Sequence, residues 1–299
     1  MKIGFSSQVC PGWDLETILT KAAEFGFDGV ELRGLRGELN LPLVPELAGD
    51  PQATIRRFET QGIELVCLAA CVALDSKNKR EVAGNKATII EYIELACRLR
   101  CPYVRIFMGE VQRFDNQRAA LARIAEAVRS LVPVASRHDV ALLVENGGDF
   151  PGSDGLWFVA DAADHPAVRV CWNQSHALAI RERCTTSVPR LGTKISLVHA
   201  CDAAFDERGL LVEYKLPGDG ETEVAKQIEL LKGLAYDGYV VFEWPKLWVE
   251  SLPDAETVLP GVARFLRECV DAKQAVLTAY KSDKNKPRMS VRQAPEKAV

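Results

Sequence analysis

Eight short apolar runs recur along this chain, each followed by a longer segment whose apolar residues return every three or four positions. The runs are KIGFS (2–6), GVELR (29–33), IELVCLA (63–69), YVRIFM (103–108), VALLVE (140–145), VRVCWN (168–173), ISLVH (195–199) and YVVFEW (239–244). Within them hydrophobic residues are nearly continuous rather than alternating, as in strands covered on both faces of a parallel sheet. Residues 15–25, 53–61, 87–99, 117–137, 222–234 and 254–275 carry helical periodicity between the runs. Eight strand-then-helix units over about 250 residues predict an α/β fold, a closed (β/α)8 barrel. A doubly wound open sheet is the competing reading. Against it, the first strand leads into SSQVCPG (6–12) in place of the glycine-rich turn that cradles a dinucleotide.

Helix punctuation agrees: Asp14 stands ahead of the first helical segment, and Gly26 and Gly62 stand where helices should stop. One barrel domain is expected over residues 1–280. The basic, proline-containing stretch 281–299 loses periodicity and is read as a solvated tail or an oligomer contact. Hydrophobic residues make up 47% of the 299 and charged residues 26%, enough to bury a large core. The net charge of -4 gives no broad attraction to nucleic acid or a membrane surface. Neither a signal segment nor a membrane span is legible, and the nine cysteines include no C-x-x-C pair. The expectation is a cytoplasmic protein with reduced thiols, in which Cys97 and Cys101, four apart, pack rather than bind a metal.

In a parallel barrel all strands end at one rim, where active sites of this architecture sit. The fifth to eighth runs close on Glu145, Asn173, His199 and Glu243, and the second carries Glu31. A carboxylate or imidazole behind four or five apolar residues is costly unless paired, hydrogen-bonded or bound to metal. Any one of them alone is an ordinary strand-end polar group. Four on consecutive strands point to one shared site, and a mainly oxygen donor set suits Mn2+, Mg2+ or Co2+, with Zn2+ also admitted. Glu31 and Arg105 either pair inside the barrel or line a pocket. Trp13, Trp172, Trp244 and Trp248 fall near strand ends, where an aromatic face can stack on a ligand or simply pack.

The segments LLVEN (142–146), VCWNQSH (170–176), LVHACD (197–202), KLPGDGE (215–221) and LAYDGYVVFEW (234–244) resemble the xylose isomerase-like TIM barrels. That family includes ketose epimerases, hydroxypyruvate isomerase, inosose dehydratase and the metal-dependent AP endonucleases of family 2 type. The likeness runs over about residues 1–275. It implies a divalent metal held by Glu145, Asn173, His199 and Glu243, with Asn173 standing where the family carries Asp and so removing one negative charge. It also implies that His176 touches substrate, with Asp202 and Lys215 as further substrate contacts, alongside Glu31, Arg105 and Trp13. The implied chemistry is isomerisation or epimerisation of a ketose or related polyol ketone, Glu145 and Glu243 serving as base and acid through an enediolate. An inosose-type dehydratase and a non-catalytic sugar-binding barrel are the alternatives. The endonuclease branch needs more histidine ligands than four in the chain, two of which, His138 and His165, precede strands at the opposite rim.

Overall fold

The computed structural model describes residues 1–272. The tail expected over 281–299, and with it the far boundary of the predicted domain, lies outside the described residues. Ten strands are formed: β1 (Lys2–Ser6), β2 (Gly29–Leu32), β3 (Glu64–Ala73), β4 (Tyr103–Phe107), β5 (Ala141–Glu145), β6 (Val168–Asn173), β7 (Ile195–Ala200), β8 (Asp202–Phe205), β9 (Leu211–Lys215) and β10 (Tyr239–Phe242). Strands β1 to β7 and β10 close into a parallel eight-stranded barrel, in which β10 lies between β7 and β1. Helices connect the strands around it, so the predicted (β/α)8 TIM barrel is the observed fold.

The boundaries follow local chemistry. Helix Leu15–Phe25 starts where the Thr17 N–H donates to Asp14 Oδ1 and stops at Gly26, whose φ of 81° is left-handed. The helix expected over 87–99 begins earlier, at Lys79, because Asn78 caps it through the Arg80 N–H. The periodicity missed helices Pro45–Ala48 and Ser153–Ala163, and the helix that strand-then-helix alternation expects between the sixth and seventh strands is formed as two, Gln174–Leu178 and Cys184–Leu191. Also missed was the antiparallel hairpin β8–β9, which sits between β7 and the helix Val224–Gly233. Gly209 turns that hairpin at φ 81°, and a Cβ there would lie 2.0 Å from the Ala179 carbonyl oxygen, so only glycine lets the turn rest on this neighbouring segment.

Each barrel strand sorts its side chains by parity. Val104, Ile106, Leu142, Val144, Val170, Val198 and Val240 belong to the large core shared with the helices. Cys67, Leu143, Cys171, Leu197 and Val241 form a separate small cluster inside the barrel. Two residues further along β5, β6 and β7, and just beyond β10, the same inward parity delivers Glu145, Asn173, His199 and Glu243 above that apolar floor.

Candidate active site

The four strand-end residues meet at the expected rim. Asn173 Nδ2 donates to Glu243 Oε2 at 2.7 Å and to Glu145 Oε1 at 3.3 Å, so one amide nitrogen bridges the two carboxylates. His199 is bracketed by acids: Nδ1 stands 2.8 Å from Glu145 Oε1 and 3.6 Å from Glu243 Oε1, and Nε2 stands 3.1 Å from Glu31 Oε2. Arg105 Nε lies 2.9 Å from Glu145 Oε2. Its guanidinium also covers the Phe107 ring, 4.0 Å from the centroid, and donates to the Ala70 carbonyl at 3.2 Å. Glu31, Arg105, Glu145, Asn173 and His199 are all fully buried. Of the two pairings open to Glu31 and Arg105, the structure gives neither a mutual ion pair nor a bare pocket wall: each pairs with the His199–Glu145 couple instead.

The electrostatics follow from this packing. Burial opposes the Glu145 charge, but Arg105 and His199 outweigh it and hold the carboxyl well below the usual carboxylate range. Glu31 is likewise held low, mainly by His199 against the cost of burial. Burial works against an imidazolium at His199, whereas Cys171, Glu243, Glu145 and Glu31 favour it and carry its value well above the ordinary histidine range. The Cys171 thiol is itself pushed up to about 12 by burial, so it is neutral near pH 7 and the carboxylates carry the effect on His199.

The other predicted residues divide. His176 borders the mouth on the short helix Gln174–Leu178, its Nδ1 2.7 Å from the Asn146 carbonyl oxygen. Asp202 is engaged by the loop: Oδ1 accepts from the Ala203 and Thr222 N–H groups and Oδ2 from those of Gly218 and Gly220. The Gly218–Glu221 turn thus wraps a buried carboxylate, and a Cβ at Gly220 would lie 2.3 Å from Asp202 Oδ1. Lys215 pairs with Glu213 along the hairpin. Trp13 packs against the core, as do Trp172 and Trp244, and the tryptophan at the mouth is Trp248. His138 and His165 lie at helix and loop positions ahead of β5 and β6, at the opposite rim. Cys97 is exposed while Cys101 is buried.

A cavity of about 350 Å3 opens over the site, bordered by Glu243, His176, Ser175, Arg33, Tyr214 and Trp248. A larger one of about 530 Å3 lies among the strand starts at the opposite rim, around Lys2, Glu64 and Tyr239, and has none of these groups. In a parallel barrel, chemistry belongs to the rim where strands end.

A family model described as "Xylose isomerase-like TIM barrel" matches residues 19–269. The chain belongs to this family. No curated protein matches the sequence. Solved structures similar to it include a D-tagatose 3-epimerase-like protein, 19% identical with a TM-score of 0.72, over 94% of this chain and all of that one. They also include the IOLI protein with a zinc atom (17%, TM-score 0.78, 90% of this chain and 98% of that one). A third is the probable 3-DHS dehydratase AsbF from Bacillus anthracis (15%, TM-score 0.74, 89% and 99%). At these identities the likeness is one of fold.

Whether this member of the xylose isomerase-like barrels suits a divalent metal can be tested on its own donors. Glu145, Cys171 and His199 offer ligand atoms within 4.8 Å of one another, with Glu243 beside His199. One buried carboxylate oxygen, Glu31 Oε1, has no hydrogen-bond donor, as expected where an electropositive group belongs, whereas Glu145 Oε2 already faces Arg105 Nε. These residues fit a cation. Asn173 departs from its expected part, because Oδ1 accepts from the Ser175 N–H (3.2 Å) and Oγ–H (2.6 Å). A backbone N–H only donates, so it fixes the amide oxygen toward the helix start and turns NH2, not oxygen, to the centre. Cys171 and Arg33 were missed from sequence. Both lie two residues from a recognised position, Asn173 and Glu31, and strand parity would have found them.

Proposed function

We propose that this chain is a metal-dependent isomerase or epimerase of a ketose or related polyol ketone, working by proton transfer through an enediolate. The observation that carries this reading is the pair Glu145 and Glu243, from strands on different sides of the mouth, joined through one amide and one imidazole. A divalent cation held by Glu145, His199 and Glu243 would polarise the substrate carbonyl when bound. Glu243 borders the cavity and removes the carbon-bound proton. Glu145, held ionised by Arg105 and His199, is the opposing carboxylate of the pair. Asn173 spaces the two acids and keeps both aimed inward. His176 is held by the Asn146 carbonyl, which accepts from its Nδ1–H, and in its imidazolium form the ring donates from Nε2 to the oxygen that gains charge. Phe107, Tyr214 and Trp248 shed water from the mouth.

The test is hydrogen exchange at the substrate carbon in D2O, with ketohexoses and an inosose offered in parallel and Mn2+, Co2+ or Zn2+ supplied. Deuterium should enter recovered ketose, and Glu243→Gln should slow entry by roughly 10²–10⁴-fold. Enone absorbance with the inosose and no exchange into ketoses would move the assignment to a dehydratase. Undiminished exchange in Glu243→Gln sinks the assignment of roles.

A further inference from the structure

Within the proposed reaction, on which the following rests, the geometry points to Arg33 as a recognition residue for a carboxylate carried by the substrate, making that substrate a polyhydroxy keto acid. Arg33 follows β2 directly, two residues beyond Glu31, so strand parity turns both into the barrel and sets Arg33 one layer nearer the mouth. It is 5% exposed and borders the same cavity as Glu243 and His176.

The surroundings hold this cation without neutralising it. Nη1 donates to the Ala69 carbonyl over a long 3.5 Å and touches Cys71 Sγ. The guanidinium faces the rings of Phe107 and Trp248, with its carbon 5.4 and 5.9 Å from their centroids. Among the described residues no carboxylate forms an ion pair with it, although every other deeply buried charge in the site has one. A buried guanidinium lacking an anion is costly, and fixing it between two aromatic faces presets the planar fork for one. Its five donors match a carboxylate in a bidentate grip. Among the residues that border the cavity there is no lysine and no second arginine, as a phosphate dianion would favour. The volume of about 350 Å3 admits a six-carbon acid whose far end reaches Glu243.

The experiment measures binding rather than turnover, so it stands apart from the success of the exchange assay. Metal-loaded protein is titrated with D-gluconate, its neutral counterpart D-glucitol, and D-glucitol 6-phosphate, following Trp248-sensitive fluorescence and calorimetry. Gluconate should bind roughly ten- to a hundredfold tighter than glucitol, the range of a buried charge-assisted pair. Arg33→Gln should erase that preference, Arg33→Lys should keep part of it, and Glu243→Gln should leave it in place while exchange is lost. Equal binding of gluconate and glucitol, no binding of gluconate, or a preference that survives in a folded Arg33→Gln protein overturns the inference. Tighter binding of the phosphate than of gluconate overturns the carboxylate assignment.

Discussion

Replacing Asn173 by Asp isolates what the amide does, because the two side chains share a shape and differ in one group. The oxygen that caps the helix Gln174–Leu178 through Ser175 is kept. The NH2 that donates to Glu145 and Glu243 at 3.3 and 2.7 Å becomes a third carboxylate oxygen facing two others. Without metal, unit charges about 4 Å apart repel by about 4 kcal/mol at an effective dielectric near 20. The variant escapes part of this by taking up a proton, and protonating an Asp of ordinary value about 3.9 costs about 4 kcal/mol at pH 7, which caps the loss. For a chain of this size the corresponding fall in Tm is about 5 to 10 °C in chelator. Added Mn2+ or Zn2+ should reverse the deficit, since the new oxygen and its charge complete the donor set. Metal affinity should rise by roughly 10- to 100-fold over the parent protein. Thermal unfolding in EDTA and in graded metal, with metal content by mass spectrometry, reads both quantities. A variant that melts with the parent in EDTA refutes the amide bridge. One that gains no more than the parent from metal refutes the cation site.

Asp202→Ala should cost roughly 1–3 kcal/mol and open the 218–222 loop to limited proteolysis, because four backbone donors lose their acceptor; an unchanged Tm would contradict that account. Thiol titration of native protein near pH 8 should find Cys71 and Cys97 fast, whereas Cys67, Cys171 and Cys201, whose thiols burial pushes up, should wait for unfolding. Acid stability supplies a further check. Glu31 and Glu145 are held below the ordinary carboxylate range, so their contribution is present above about pH 4.3 and lost as pH falls through their folded values. Urea midpoints between pH 3 and 6 should therefore slope less steeply in Glu145→Gln than in the parent protein.

Much of the barrel was legible because its chemistry is local. Continuous apolar runs such as VRVCWN announce strands buried on both faces, and β6 spans residues 168–173 as read. The helix Lys79–Arg98 overran its reading because its first two turns are polar and mostly exposed, held by the Asn78 cap rather than by an apolar stripe. Helix Ser153–Ala163 has apolar residues on much of its circumference, so it shows no clean 3.6-residue stripe. Hairpin β8–β9 is invisible to periodicity since its second strand, LVEYK, is largely exposed and rests on a turn set by Gly209.

The site was legible only down to residue identity. That Glu145, Asn173, His199 and Glu243 share a rim follows from parallel strands of similar length, yet which atom of Asn173 faces inward depends on the Ser175 N–H, a contact made by the next residue but one. Asp202 and Lys215, singled out by resemblance, have partners that no sequence reading showed: four backbone donors in one case and Glu213 in the other. Parity along a strand reaches further than spacing along the chain. Leu143 precedes Glu145 by two, as Cys171 precedes Asn173, Leu197 precedes His199 and Val241 precedes Glu243, and the four form part of the apolar floor. Counting upward from that floor on β2 yields Glu31 and then Arg33. The strand layering that gathers the carboxylates proposed for proton transfer therefore also sets Arg33 in the layer above them, at the rim where strands end.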